Sequence, residues 1–185
     1  MRTGTGYITV NVLEEAGFEQ AMLGLSLSRH ADPSQMPTIA KRLYNKGTSG
    51  ETKFLESMYT WLDINAPLYW WNQFDTYRHV SKQSESTMYT LMKGKLTDTS
   101  FAPDTNADFV DTINEMIASS DFTTANASLP RGFLQRRIVC VNYKELDHIV
   151  HQRYNHMLYE WREFCELIIG KLDHSEFIYQ ERTNN

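Results

Sequence analysis

Between Asn142 and Gly170, the residues Leu146, Ile149, Val150, Met157, Trp161, Phe164, Cys165 and Ile168 recur at helical spacing and make one broad apolar stripe. Asn142, followed three residues later by Glu145, has the form of a helix N-cap with its reciprocal partner, so a helix is expected to open there and run almost to Gly170. A stripe this wide cannot face water and needs a partner, from another layer of the fold or from another subunit.

The remaining segments offer both kinds of cover. Tyr7 to Leu13 alternates apolar and polar residues and predicts a strand, and Glu14 to Leu25 carries Phe18, Met22 and Leu25 at helical spacing. Ser34 is the expected cap of a helix through Tyr44 that places Met36, Ile39, Ala40 and Leu43 on one face, and the chain breaks between Asn45 and Gly50. From Lys53 to Ile64 the second half favours a strand. Pro67 suits the first position of a helix through Tyr77, because a proline there forgoes only an N–H that would be unpaired anyway. The run Ser81 to Thr90 is rich in hydroxyls, which end backbone ladders or hold an anion. Lys93 to Thr105 reads as loop, Asn106 to Ser119 as helix with Phe109, Ile113, Met116 and Ile117 in register, and Arg131 to Val141 as strand.

The sequence of 185 residues fits a single domain, 1–185, with an apolar fraction of 41% that supports a packed core. A net charge of −5 and a pI near 5.7 provide no basic field for nucleic acid or anionic membrane. Arg131, Arg136 and Arg137 are the one local basic patch, and arginines on a strand are as often ion-paired surface. Cys140 and Cys165 lie among apolar neighbours without ligand spacing and read as reduced core thiols, which fits a cytoplasmic protein. No apolar leader or spanning stretch is present.

Phosphate loops, dinucleotide-binding glycines, zinc spacings and nucleophile elbows are absent. His148, His151 and His156 share one segment, but the last two stand five apart and do not share a helix face, so no metal site is expected.

One pattern is informative: Gln73, then Arg78, then after seven residues Ser86, with Tyr89 closing the segment. This resembles the signature of the flavin-dependent thymidylate synthases, in which an R-H-R triplet is followed after seven residues by the serine of N-E-x-S-x-R-Y. Gly50, Glu56 and Ala66-Pro67 upstream, and Leu129-Pro130, Asn142 and Arg153 downstream, keep the same register, so the resemblance covers about 50–169. It implies an α+β fold with a mixed sheet and long helices, assembled as a homotetramer with active sites at subunit junctions. It also implies FAD as cofactor and dUMP as nucleotide ligand, converted to dTMP with a folate one-carbon donor. Arg153 and Ser86 would be the catalytic pair, with Gln73 and Lys82 joining them on the substrate and Arg78, Glu56 and Asn142 on the flavin.

The departures from that pattern are concentrated. Thr76-Tyr77-Arg78 stands where the triplet should be, Gln83-Ser84 replaces N-E, and Glu51 replaces a flavin-side histidine. Met88 and Asn126 occupy positions that the resemblance gives to phosphate-binding arginines. Two lost charge-assisted bonds cost about 3–6 kcal/mol, roughly a hundred-fold to ten-thousand-fold in affinity, unless Lys82, Arg131 or Arg136 replaces them. A second reading therefore stands beside the enzyme: a catalytically degenerate homotetramer of the same fold, repurposed to bind a nucleotide or a protein. Its small size and eroded signature would suit a viral or phage version.

Overall fold

A computed structural model describes residues 6–28, 30–47 and 50–179. The elements follow one another as β1 (Thr9–Ala16), α1 (Phe18–Leu27), α2 (Met36–Lys46), β2 (Tyr59–Pro67), α3 (Leu68–Phe74), β3 (Val80–Ser84), α4 (Thr87–Thr90), α5 (Ala107–Ala118), α6 (Phe122–Ala127), β4 (Leu134–Asn142), α7 (Tyr143–Arg153) and α8 (Tyr159–Lys171). The strands form one sheet in the order β1-β2-β4-β3, and with the helices this is the expected α+β class. Strand β2 shows how sequence selects the sheet face: Thr60, Leu62, Ile64 and Ala66 are fully buried, alternating with partly exposed Trp61, Asp63 and Asn65.

The chain divides into two compact units. Among the described residues, one takes 6–9, Ile64–Arg78 and Lys82–Ile138; the other takes Val10–Asp63, His79–Ser81 and 139–179. In the latter, β1 extends to Ala16 rather than ending at Leu13, and α1 begins only at Phe18. Gly17 enforces the change of direction with φ of 91°, a left-handed conformation that glycine adopts without a Cβ clash. Helix α2 follows a short 3-10 turn capped by Asp32, whose Oδ1 accepts the Ser34 N–H at 2.9 Å, so the capping side chain is Asp32 and not Ser34. Met36, Ala40 and Leu43 are buried as expected.

The C-terminal stripe is carried by two helices instead of one. Helix α7 ends at Arg153, and α8 starts at Tyr159. In the gap the His156 ring accepts the Leu158 N–H through Nδ1 at 3.1 Å, a local bond that competes with helical continuation, and Met157 is left 92% exposed. Leu146, Ile149 and Val150 on α7, and Trp161, Phe164, Cys165 and Ile168 on α8, are all buried. Burial pushes the Cys165 thiol up to about 12, so it stays protonated and packs as a small apolar group.

The other unit is built on aromatics. Trp70, Trp71 and Phe74 of α3 are buried, with Trp71 edge-on to Trp70 at 4.9 Å and to Phe74 at 5.4 Å. A second cluster holds Phe101, Val110 and Phe133, with Leu68, Leu96 and Leu129 packed against it. On α5 the buried positions are Val110 and Ile113, while Phe109 is 56% exposed. Pro67 is the last residue of β2, with extended backbone, so α3 opens one residue later than expected and closes at Phe74. The hydroxyl-rich run after it contains β3, whose polar composition suits its place at the sheet edge, where lysine discourages pairing with other chains.

Candidate functional site

Gln73, Arg78, Lys82 and Ser86 belong to one unit, spread over α3, the turn after it, β3 and the start of α4. Gln73 is half-buried near the end of α3, and Arg78 is exposed. Ser86 is exposed at the N-cap position of α4, yet its hydroxyl makes no capping bond; its carbonyl accepts the Thr90 Oγ1 at 3.0 Å instead. The neighbouring Thr87 hydroxyl donates to Asn126 Oδ1 at 2.8 Å and ties α4 to α6. Two exposed apolar groups, Met88 and Tyr89, follow Ser86 on the same short helix.

Lys82 is engaged from within. Its Nζ lies 3.0 Å from Asp75 Oδ1, and the same oxygen is 2.9 Å from Nη1 of Arg137. Arg137 also donates through Nε to Gln135 Oε1 at 3.0 Å and lies over the Trp71 ring at 4.4 Å. Trp71 in turn donates its indole N–H to the Gln135 carbonyl at 2.8 Å. One carboxylate thus serves two cations held against the aromatic core. Arg131 donates to the Asn72 side chain at 3.1 Å once that amide is oriented to satisfy both its atoms. Of the patch read in the sequence, Arg137 is ion-paired.

Sequence reasoning missed Asp75 and Arg137 as a pair. They stand 62 residues apart and meet only because β4 lies beside β3 and Asp75 caps the end of α3, so no local pattern signals them.

Glu56, Asn142 and Arg153 belong to the other unit. Asn142 ends β4 and caps α7, its Oδ1 accepting the Glu145 N–H at 2.8 Å, as the capping motif predicted. That leaves its amide N–H groups as the donors it has to offer. Asn142→Ala is expected to lower stability by about 1 kcal/mol, and Asn142→Asp to restore it, both read from urea denaturation midpoints. Glu56 is exposed and paired with Lys144 Nζ at 3.0 Å. Arg153, the last residue of α7, is half-buried with its guanidinium 4.7 Å from the centre of the Trp161 ring.

The same unit contains a concavity of about 270 Å³ whose lining includes Glu15, Phe18, Tyr143 and His174. Tyr143 donates a short hydrogen bond to Glu15, and His174 stacks on Phe18 at 3.8 Å. Burial, and then the Glu15 carboxylate, hold the Tyr143 hydroxyl far above the ordinary phenol range, so it is a fixed donor. Among the described residues no three His, Cys, Asp or Glu side chains gather as a metal site, and no helix is long and apolar enough to cross a membrane.

No protein-family model matches this sequence, and no curated protein matches it. Solved structures do. The chain is similar to thymidylate synthase X (ThyX) from Helicobacter pylori, solved with FAD and dUMP, at a TM-score of 0.78 and 14% identity over 96% of this chain and 100% of that one. A second structure of the flavin-dependent thymidylate synthase ThyX from the same organism, complexed with FAD and dUMP, gives 0.78 and 14% over 93% and 98%. A UMP/dUMP methylase, PolB from Streptomyces cacaoi, bound with 5-Br dUMP, gives 0.67 and 13% over 88% of each chain. At these identities the likeness establishes a shared fold, spanning essentially the whole of the chain.

Proposed function

We propose that this chain is a flavin-dependent thymidylate synthase-like protein that binds FAD and a uracil deoxynucleotide and places a methyl group on C5 of the pyrimidine. The observation that carries this reading is the near-complete overlap with structures solved with FAD and dUMP, in a chain that also keeps Gln73, Arg78 and Ser86 at the spacing of that signature. In the first unit, exposed Arg78 offers a guanidinium to a flavin phosphate, and the uncommitted Ser86 hydroxyl and Gln73 offer hydrogen bonds to the nucleotide. In the second, the Asn142 amide donors and Glu56 suit the polar edge of a flavin, and Arg153 is positioned by Trp161 to draw electron density from a pyrimidine carbonyl. When bound and reduced, the flavin would supply reducing equivalents for placing a one-carbon unit from a folate on C5. A homotetramer in which different subunits complete each site belongs to the same proposal, as does a cytoplasmic location.

The visible absorbance of the purified protein, with and without added FAD, tests this reading. Flavin bands retained through gel filtration, and shifted on titration with dUMP, are the expected result. A colourless protein that retains no added FAD, and whose fluorescence does not respond to dUMP, would favour the degenerate binding protein instead. Its support is the set of replacements at Thr76, Tyr77, Met88 and Asn126.

A further inference from the structure

The Asp75, Lys82 and Arg137 cluster bears on which form of the pyrimidine ligand this chain takes, and the inference rests on the function proposed above. Two cations and one carboxylate leave a net charge of +1, but the cluster does not present that charge outward. The Lys82 and Arg137 side chains are 19% and 13% exposed, whereas Asp75 is 41% exposed. Asp75 Oδ2 is also 3.1 Å from Arg137 Nη1, so the carboxylate lies across that guanidinium nitrogen with both oxygens. Lys82 is further held 5.7 Å from the centre of the Phe74 ring, and Arg137 by Gln135 and Trp71. An anion approaching this face meets the carboxylate first, and reaching either cation means displacing Asp75. The built-in carboxylate is covalently held beside its cations, so its effective concentration exceeds that of a free phosphate ester.

Of the other polar groups of this unit, Arg78, which is assigned above to a flavin phosphate, and Glu85 are charged, whereas Ser86, Thr87 and Asn126 are neutral. Ser86, Thr87 and Asn126 present hydroxyls and an amide, and Thr87 and Asn126 are already hydrogen-bonded to each other. Such groups satisfy a ribose or deoxyribose hydroxyl without requiring a charge on the ligand.

We propose that Asp75 is a specificity-determining residue that cancels the preference for a 5′-phosphate, so that the chain binds an uncharged uracil nucleoside as readily as the corresponding monophosphate. The uracil ring and the sugar then carry recognition. Asp75 acts through Lys82 and Arg137 and is a positioning residue rather than a catalytic one.

Calorimetric titration of the full chain with deoxyuridine and with dUMP, each at low and at high salt, tests this. The expected dissociation constants agree within about threefold for the wild type, with little salt dependence for either ligand. Asp75→Asn frees both cations and should tighten dUMP by about tenfold at low salt while leaving deoxyuridine unchanged, with inorganic phosphate competing only in the variant. Asp75→Ser should behave alike, and circular dichroism confirms that both variants are folded. A wild type that binds dUMP tenfold or more tightly than deoxyuridine overturns the inference while the proposed function stands, as does a folded Asp75→Asn that binds both ligands as the wild type does. Binding of neither pyrimidine to any of these proteins overturns both.

Discussion

Gly17→Ala is expected to cost about 2–5 kcal/mol, a large share of the roughly 5–15 kcal/mol that holds an average domain folded. Two effects add. At φ of 91° an alanine pays the left-handed penalty, about 1–2 kcal/mol. A Cβ at this position would also fall 2.0 Å from the Ser57 carbonyl oxygen, a backbone atom with no rotamer to escape into, and the displacement needed adds about 1–3 kcal/mol. The strain falls between β1 and α1, where the chain passes the 3-10 turn that leads into β2, so it cannot be absorbed at a free end. The measurement is a urea titration followed by circular dichroism. A variant whose midpoint lies within experimental error of the wild type would show that the close approach to Ser57 does not exist in solution. Gly47, also at positive φ but with open space around it, is the control and should lose only about 1 kcal/mol on the same change.

Trp71→Ala is expected to cost about 3–5 kcal/mol through the loss of a fully buried indole. Two consequences set it apart from an ordinary large-to-small change. The Gln135 carbonyl on β4 loses its 2.8 Å donor, and Arg137 loses the aromatic face it rests on. Trp71→Phe separates these contributions, because it keeps much of the packing and an aromatic face while removing the N–H. It should cost about 1–3 kcal/mol, the desolvation penalty of an unpaired carbonyl. Thermal denaturation of both variants checks the order. If the phenylalanine variant is as stable as the wild type, the indole N–H contributes nothing and the Gln135 carbonyl is satisfied some other way.

Both changes act at places where the chain is not free to choose, and the two differ in how far the sequence announces them. Trp71 lies in an aromatic segment after Pro67, which the sequence marks as helix. Gly17 sits between a strand and a helix whose common boundary the sequence places several residues too early. Alternation stops at the adjacent pairs Val12-Leu13 and Glu14-Glu15, and the two glutamates fit the start of an amphipathic helix, yet the strand runs on to Ala16. The decision depends on strand pairing in β1, not on local preference.

The C-terminal segment makes the same distinction. Its stripe of Leu146, Ile149, Val150, Trp161, Phe164, Cys165 and Ile168 is legible because helical periodicity is a local property of side-chain spacing, and every one of these residues is buried. The break between α7 and α8 is not legible, since a ring nitrogen of His156 capturing the Leu158 N–H is one local bond among several available to the chain. Met157 matched the period and is exposed all the same. In the polar run Ser81 to Thr90, composition pointed to backbone termination, and the sheet instead took Val80–Ser84 as an edge strand.

For the candidate site, the resemblance proposed Gln73, Arg78, Ser86, Glu56, Asn142 and Arg153, with Lys82 as a replacement charge, and the capping motif anticipated the cap that Asn142 forms on α7. The resemblance also implied the fold, which the chain shares with structures only 14% identical to it. Neither could show how the charges are spent. Lys82 reads as a phosphate ligand in the sequence, and only tertiary structure joins it to Asp75 and joins Asp75 to Arg137, 62 residues away. The reason is physical: periodicity and capping depend on neighbours within a few residues, whereas the partner of a charge depends on which strands lie side by side. Sequence alone therefore determined the class of fold and proposed candidate residues for chemistry, and the tertiary structure decided that Lys82 is held by Asp75.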